Sequence, residues 1–226
     1  MNLDAWLKRS GPHLVIIAGP NGSGKTTLTR RLIQEDVIKA MHPINADDIA
    51  ASLRVGKTEN SEAAIALHAA IQADAALDKR IDAGDDVLIE TVLSSNKYRE
   101  RVSRALSAGY VFTLIYIYTD DASINVDRVS QRVHEGGHGV PTDKVIARYH
   151  KSINQVSDYY FSAASLSVFF NNTGLKPLLT LIGRSGDVYR LYEGWEDDPV
   201  VSSVIHARQK SVSPLVFRLP EPVPRS

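Results

Sequence analysis

Short apolar runs alternate with longer amphipathic segments along this chain. The runs His13–Ala18, Val87–Ile89, Val111–Tyr118 and Leu166–Phe170 are rich in β-branched and aromatic residues, and they predict buried strands. A weaker strand is predicted at Pro43–Asn45, where the proline can only start the strand or lie on an edge, since it has no amide proton to donate. Because helical patterns separate the runs, we predict a parallel α/β sheet.

Amphipathic segments fill the intervals between the predicted strands. Ser61 is a residue type that caps helix starts, while Gly84 and Gly109 suit the left-handed position after a helix end. Residues 135–141 contain three glycines and a proline, so we predict that they form a loop between two helices. The predicted helices are Lys25–Glu35, Ser61–Ala83, Ser95–Ala108, Ala122–Glu135 and Thr142–Phe161.

The C-terminal part departs from this alternation of strands and helices. Leu178–Ile182 and Val188–Tyr192 are short β-like runs on either side of the turn-rich sequence Gly183–Asp187, and together they predict a small C-terminal β-hairpin outside the βα repeat. Residues 213–226 are rich in proline and are predicted to be extended along the surface or mobile. We therefore predict one domain over residues 1–212, followed by a tail over residues 213–226.

Composition narrows the class of protein. A chain of 226 residues with 43% hydrophobic residues suits one α/β domain with a sizeable core. The 26 basic and 26 acidic side chains balance, so charge predicts neither a nucleic-acid partner nor a membrane surface. The sequence has no cysteine, which excludes thiol catalysis, disulfides and cysteine metal sites. We found no signal-peptide core and no apolar run long enough to span a bilayer, and we predict a cytoplasmic protein.

One segment matches the complete phosphate-loop pattern G-x-x-x-x-G-K-S/T, between a predicted strand and a predicted helix. Glycines allow consecutive backbone N–H groups to turn toward one anion, and the helix N-terminus adds its positive dipole end. Lys25 is expected to bridge the outer phosphates, and Thr26 to supply a hydroxyl ligand for Mg²⁺. The alternative is a glycine-rich turn with a chance lysine. The predicted nucleotide-binding residues are Gly19, Pro20, Asn21, Gly22, Ser23, Gly24, Lys25, Thr26 and Thr27.

The rest of the chain favours a compact kinase among the classes of P-loop protein. A GTPase is expected to carry a base-reading N-K-x-D element after a strand, and we found none. Transport and oligomeric ATPases usually need a longer chain and a strand that ends in Asp or Asp-Glu. Here the strand Val87–Ile89 leads into Glu90 and Thr91.

An ordered set of motifs resembles the zeta-toxin family of P-loop kinases. The resemblance extends from Leu14 to Asn154, and the segment Arg128–Pro141 is more specific than the phosphate loop, which many proteins share. It implies a nucleotide-kinase-like P-loop NTPase fold with three layers and a helical lid. It also implies that the chain phosphorylates the 3′-hydroxyl of UDP-N-acetylglucosamine at the expense of ATP or GTP, and it admits an antitoxin protein as a partner. The matching motifs are Gly19–Thr26, Ile44–Asp47, Leu88–Thr91, Arg128–Pro141 and Arg148-Tyr149.

Two acidic residues are candidates for the reaction at the acceptor. Asp47 follows the second strand, where loops meet beside the phosphate loop, and it matches the general base of the family. The alternative is that residues 45–48 only cap a helix that starts near Ile49, in which case Asp48 is the fallback base. Glu90, with Thr91 beside it, is expected to contact the substrate or to support the metal site, unless it is only a solvated carboxylate at a strand end. The family has a threonine where this chain has Val92.

Basic residues near the predicted 135–141 loop are candidates for a lid. Arg128 and Arg132 are four residues apart on one predicted helix, so both side chains share a face and could reach a phosphate. The alternative is a solvated basic face. Arg132 matches the family's lid arginine better, while His138 occupies the position of the second lid arginine, and Arg148 could supply the missing charge. We read the other histidines, including His134 and His150, as surface residues.

The segment 171–174, Asn-Asn-Thr-Gly, resembles the stretch that closes around the nucleotide base in small P-loop kinases, although a turn needs the same residues.

The leading hypothesis is a kinase for a nucleotide sugar. A kinase for another metabolite or for an antibiotic would differ in which acceptor stimulates ATP consumption. A nucleotide-dependent binding module would turn over nucleotide without any phosphorylated acceptor.

Overall fold

A seven-stranded sheet forms the centre of the protein in the computed structural model, which describes residues 11–55, 61–137, 139–211 and 219–224. The strand order is β2-β3-β1-β4-β5-β6-β7. Strands β1 to β5 are parallel, while β6 and β7 continue the sheet in antiparallel fashion. The strands are β1 His13–Ala18, β2 Ile44–Asn45, β3 Val87–Thr91, β4 Val111–Tyr118, β5 Leu166–Asn171, β6 Leu178–Arg184 and β7 Asp187–Leu191.

Helices cover both faces of this sheet, so the predicted α/β P-loop fold with a C-terminal hairpin is confirmed. A π-helical turn at Val156–Tyr160 joins α7 to α8 and makes the two nearly continuous. The helices are α1 Lys25–Leu32, α2 Glu35–Ala40, α3 Ala46–Val55, α4 Glu62–Ala83, α5 Arg99–Ser107, α6 Ala122–His134, α7 Thr142–Gln155, α8 Phe161–Ala163 and α9 Pro199–Ser211.

Local signals set several helix ends as the sequence predicts. The Ser61 side chain accepts a hydrogen bond from the Ala64 amide at the start of α4. Gly84 ends the same helix in the left-handed conformation, with φ of 73°. Gly109, which follows α5, also has a positive φ of 85°.

Two helix predictions were wrong in extent, and one helix was not predicted. The predicted helix Lys25–Glu35 ends at Leu32, and a second helix begins at Glu35, because Ile33 adopts an extended conformation that buries it in the core. The predicted helix Ser95–Ala108 begins only at Arg99, after a loop in which buried Leu93 has a positive φ of 56°. Helix α9 was not predicted at all.

Apolar side chains alternate between the two faces of the central strands, as expected for a sheet that is covered on both sides. Leu14 and Ile16 of β1 pack on one face with residues of α5, α7 and α9. Val15 and Ile17 pack on the other face with α1 and α2. A third, small cluster lies between α3 and α4 and contains Ala50, Ile65 and Ala69. The pair α3–α4 therefore has a packing unit of its own beside the sheet.

A buried carboxylate fixes α9 to the sheet. Asp198 Oδ1 accepts hydrogen bonds from the amides of Val200 and Val201, which caps the helix. Asp198 Oδ2 accepts from the Tyr118 hydroxyl at 2.7 Å, at the end of β4. Burial raises the pKa of Tyr118, and the nearby Asp198 charge acts in the same direction, so this hydroxyl stays a proton donor.

Part of the predicted tail pairs with the chain that follows β7. The Val223 amide donates to the Leu191 carbonyl at 2.8 Å, and the Glu193 amide donates to the Val223 carbonyl at 2.9 Å. Residues 219–224 are thus extended along the protein, whereas residues 212–218 and 225–226 lie outside the described residues.

Within the described ranges, we found no helix with the length and apolar character needed to cross a membrane.

Candidate active site

A single open cleft of about 630 Å³ gathers most of the residues that the sequence singles out. It lies at the carboxyl ends of β1, β2 and β3, the edge where parallel α/β sheets bind ligands. His138, a predicted substrate residue, lies outside the described residues. The predicted residues that line the cleft are Asn21, Gly22, Gly24, Lys25, Thr26, Thr27, Asp47, Glu90, Thr91, Arg128, Arg132 and Arg148.

The phosphate loop joins β1 to α1 and turns back on itself. The Ser23 amide donates to the Pro20 carbonyl at 3.2 Å, and a side chain at Gly19 would collide with the Ile117 carbonyl oxygen of β4. The Ser23 hydroxyl is buried, and it has no hydrogen-bond partner among the described residues. A buried hydroxyl needs a partner, and a bound anion would provide one.

Lys25 is folded back over this loop. Its Nζ donates to the carbonyl oxygens of Gly19 and Pro20, at 2.9 and 3.0 Å. An ammonium group has three donors, so one remains for a phosphate oxygen. Burial lowers the pKa of Lys25, while the negative charges of Glu90 and Asp47 oppose that shift.

Thr26 and Glu90 bring two oxygen donors together beside Lys25. The Thr26 hydroxyl donates to Glu90 Oε1 at 2.8 Å. Burial raises the pKa of Glu90, and the charge of Lys25 partly offsets this. Strand β3 continues through Thr91, so Glu90 belongs to the strand, where it is in register with Ile17 of β1 and Asn45 of β2.

A hydroxyl and a carboxylate fit Mg²⁺, which binds through few protein oxygens together with phosphate oxygens and water. Within the described ranges we found no cluster of three or more His, Asp or Glu side chains arranged to hold a metal ion. Because Mg²⁺ takes much of its coordination from phosphate oxygens, the donors at Thr26 and Glu90 suit an ion that arrives with a nucleotide.

Asp47 lies in the first turn of α3, with its side chain exposed at the cleft. The Asn45 side chain accepts a hydrogen bond from the Asp47 amide at 2.9 Å, so Asn45 caps this helix start. Asp47 is not needed as the capping side chain, and α3 begins at Ala46 rather than near Ile49. The neighbouring Asp48 is exposed and is not part of the cleft wall.

The three arginines of the cleft are held differently. Arg128 is half-buried, and its Nη2 donates to the Thr173 carbonyl at 3.1 Å, which ties α6 to the loop after β5. Arg132 lies one turn further along α6 and is exposed, yet close enough that its charge lowers the pKa of Lys25, although burial is the largest cause. Arg148 extends from α7 and is half-buried.

Sequence reasoning missed one part of the cleft wall. The loop between β3 and α5 lines the cleft with Ser94, Ser95, Lys97 and Tyr98. Lys97 Nζ donates to Asp74 Oδ1 of α4 at 3.0 Å, which holds the lysine at the cleft edge. The available signal for this part of the cleft was the sequence Ser-Ser-x-Lys at residues 94–97, shortly after the strand that carries Glu90.

Two asparagines contact the backbone of the phosphate loop: sequence reasoning missed Asn125, and it gave Asn172 a different place, in a stretch around the nucleotide base. Asn125 of α6 donates from Nδ2 to the Asn21 carbonyl at 2.6 Å. Asn172, after β5, donates from Nδ2 to the Ser23 carbonyl at 2.8 Å. The segment 171–174 therefore contacts the phosphate loop directly.

Comparison with known proteins gives a sequence family and a shared fold. A model of the AAA domain family matches residues 14–155. An uncharacterised protein of Haemophilus influenzae is 30% identical over 141 residues, which make up 60% of this chain and 91% of that protein.

Solved structures are similar at low identity. The AvrRxo1-ORF1:AvrRxo1-ORF2 complex with sulphate ions has a TM-score of 0.68 and 17% identity, over 89% of this chain and 68% of that chain. The form with ATP has a TM-score of 0.64 and 17% identity, over 94% and 69%. A chain of the PezAT chromosomal toxin-antitoxin system of Streptococcus pneumoniae has a TM-score of 0.53 and 13% identity, over 75% and 72%. At these identities the similarity shows the fold alone.

Proposed function

This chain belongs to the AAA domain family, and from that premise we propose that it is a phosphotransferase acting on a small molecule. It transfers the terminal phosphoryl group of ATP or GTP to a hydroxyl of the acceptor. One observation carries the proposal: four distant parts of the sequence bring side chains to the same cleft, namely Lys25 with Thr26, Asp47, Glu90 and Arg132. Phosphoryl transfer needs positioning and charge stabilisation, and these side chains supply both.

The donor nucleotide is bound by the phosphate loop. Backbone N–H groups of the loop and the N-terminus of α1 face the phosphates, and the Lys25 ammonium contacts their outer oxygens. Thr26 and Glu90 would hold Mg²⁺ together with the nucleotide, and the ion would supply positive charge to neutralise the phosphate oxygens. The orphaned Ser23 hydroxyl gains a partner when an anion is bound.

Transfer requires further groups of the same cleft. Asp47 accepts the proton of the acceptor hydroxyl, and that oxygen forms a bond to the terminal phosphorus while the bond to the leaving oxygen breaks. Arg132 lies near Lys25 and stabilises the charge that spreads over the phosphoryl oxygens during transfer. Arg128 is anchored to the Thr173 carbonyl, so its role is to fix α6 at the cleft and to add a static positive charge.

For the acceptor, we propose a nucleotide sugar, with UDP-N-acetylglucosamine as the first candidate. The motif resemblance to zeta-toxin kinases supports this choice. So does the wall of hydroxyl and basic side chains at Ser94, Ser95, Lys97 and Arg148, which suits an acceptor with hydroxyls and phosphates. By the same resemblance, and because PezAT is a toxin-antitoxin system, an antitoxin is a candidate partner.

The test is incubation with ATP or GTP, Mg²⁺ and either UDP-N-acetylglucosamine or a metabolite extract, followed by mass analysis of the products. We expect a phosphorylated nucleotide sugar with the unaltered protein and with the control Lys79→Ala, which changes an exposed lysine of α4, and none with Lys25→Ala. A different phosphorylated metabolite would overturn the nucleotide-sugar assignment only. Nucleotide turnover without any phosphorylated product would favour a binding module and overturn the kinase proposal.

A further inference from the structure

The orientation of peptide groups decides whether a phosphate loop can bind an anion. In a trans peptide unit, the carbonyl of one residue and the N–H of the next point in opposite directions. A donor that binds the Asn21 carbonyl therefore fixes the Gly22 N–H, and one that binds the Ser23 carbonyl fixes the Gly24 N–H. Both glycines line the cleft, whereas Asn125 and Asn172, which bind those carbonyls, are not part of its wall.

Asn125 is held rigidly for this contact. Its side chain is fully buried on α6, and its Oδ1 accepts a hydrogen bond from the Thr119 hydroxyl. With Oδ1 occupied in this way, Nδ2 faces the Asn21 carbonyl. A buried carboxamide whose two ends both have partners keeps one orientation.

Asn172 is anchored through its own backbone. Its amide donates to the Tyr118 carbonyl at 2.8 Å, directly after β5, and its side chain reaches across to the Ser23 carbonyl. The phosphate loop is thus held at two points, one from α6 and one from the loop after β5.

The glycines of the loop show that both asparagines lie close to it. A Cβ atom on Gly22 would lie 2.7 Å from the main-chain carbonyl oxygen of Asn125, and a Cβ on Gly24 would meet Nδ2 of the Asn172 side chain. Both glycines have positive φ, 77° and 89°. Each asparagine packs closely against the glycine whose N–H it orients.

We propose that Asn125 and Asn172 are positioning residues of the phosphate loop, which hold the Gly22 and Gly24 N–H groups toward bound phosphates. The inference rests on the proposed function only in that the loop must bind phosphate. It concerns the free energy of phosphate binding rather than the choice of acceptor. Without one of these side-chain hydrogen bonds, a carbonyl of the loop has no partner, and its peptide unit can rotate away from the anion.

The experiment uses inorganic pyrophosphate with Mg²⁺, which probes the loop without a base or sugar, and compares it with ATP by calorimetry. For Asn172→Ala we expect about tenfold weaker binding of both ligands, the loss expected for one oriented donor. The matched control is Asn154→Ala, an exposed asparagine of α7 outside the cleft, which should bind normally. Asn125→Asp retains the shape of the side chain but removes its donor, and it should weaken binding at least as much.

Ligand-free melting temperatures separate positioning from folding. The proposal requires that at least one of Asn172→Ala and Asn125→Asp melts close to Asn154→Ala while binding pyrophosphate more weakly. Unchanged pyrophosphate affinity in both variants overturns it, and so does a large fall in the melting temperature of both. If the unaltered protein binds neither pyrophosphate nor ATP, the proposed function fails instead.

Discussion

The two sides of the cleft are built differently. On the donor side, the phosphate loop is held by hydrogen bonds from Lys25, Asn125 and Asn172, and it directly follows the buried strand β1. On the acceptor side, Asp47 and Arg132 are exposed near the ends of helices. The helix that carries Asp47 packs mainly against α4, in a small cluster apart from the main core.

This difference matches the demands on each side. Backbone donors for phosphate must be fixed before the nucleotide arrives, because ordering them later would reduce affinity. Groups that act on the acceptor must allow it to enter and leave. Substitutions on the donor side should therefore affect nucleotide binding, and those on the acceptor side should affect the rate of transfer.

The largest effect is expected for Lys25→Ala on the donor side. It removes the charge that bridges the outer phosphates, so transfer should be abolished and nucleotide affinity lowered. Calorimetry and a product assay measure the two effects, with Lys79→Ala as the control. Unchanged turnover in Lys25→Ala would contradict the kinase hypothesis.

Asp47→Asn should give the next largest loss, about 10²-fold to 10⁴-fold in kcat, with little change in nucleotide affinity. Asparagine retains the size of aspartate and an accepting oxygen but cannot take a proton. Since Asn45 makes the capping bond of α3, the melting temperature should not change. A variant that melts early yet keeps its turnover per folded molecule would show that Asp47 only supports the helix, and Asp48 or Glu90 would become the candidate base.

Arg132→Ala should lower kcat by about 10²-fold, because it removes a positive charge that acts on the transferring group. Its exposed position predicts normal folding and near-normal nucleotide affinity. Arg190→Ala changes an exposed arginine on β7 and serves as the control in the same assay. If Arg132→Ala weakens nucleotide binding by the same factor as it lowers kcat, then Arg132 binds the donor nucleotide and belongs to the donor side of the cleft.

The smallest effect concerns stability at Glu90. Burial raises the pKa of Glu90 in the folded protein, so the folded state binds this proton more tightly than the unfolded chain does. The stability gained from that proton is fully present below the pKa of Glu90 in the unfolded chain. It is lost as pH rises through the pKa in the folded protein. At pH 7 to 8 the buried charge is a cost, and Glu90→Gln should raise the melting temperature by a few degrees. The difference should vanish below about pH 4. A lower melting temperature for the variant at neutral pH would show that the attraction to Lys25 outweighs burial.

Features that depend on a short stretch of sequence could be predicted. The phosphate loop has residues of fixed type at fixed spacing, and the strands are apolar β-branched runs, so both are visible locally. Glu90 and Asp47 were found because each follows or ends a strand at one edge of the sheet. The roles proposed for these side chains remain predictions.

Other features depend on contacts between distant parts of the chain. Asn125 and Asn172 meet the loop across 104 and 149 residues of sequence, and asparagine alone carries no sign of such a contact. Helix α9 was missed although Asp198 and Pro199 mark its start locally, while its attachment to the sheet depends on the hydrogen bond from Tyr118 to Asp198, far upstream. The break after Leu32 likewise reflects burial of Ile33 in the core rather than a local stop signal.

The central position of β4 has a consequence for synthesis of the protein. On the ribosome, β1, β3 and β4 are complete well before Leu166 begins β5, and until then one side of β4 has unpaired backbone groups. Its sequence, Val111–Tyr118, is apolar and β-prone, the kind of edge that recruits strands from other chains. The nascent chain is therefore most exposed to aggregation in the interval between β4 and β5, and the parallel pairing of β5 with β4 ends that exposure.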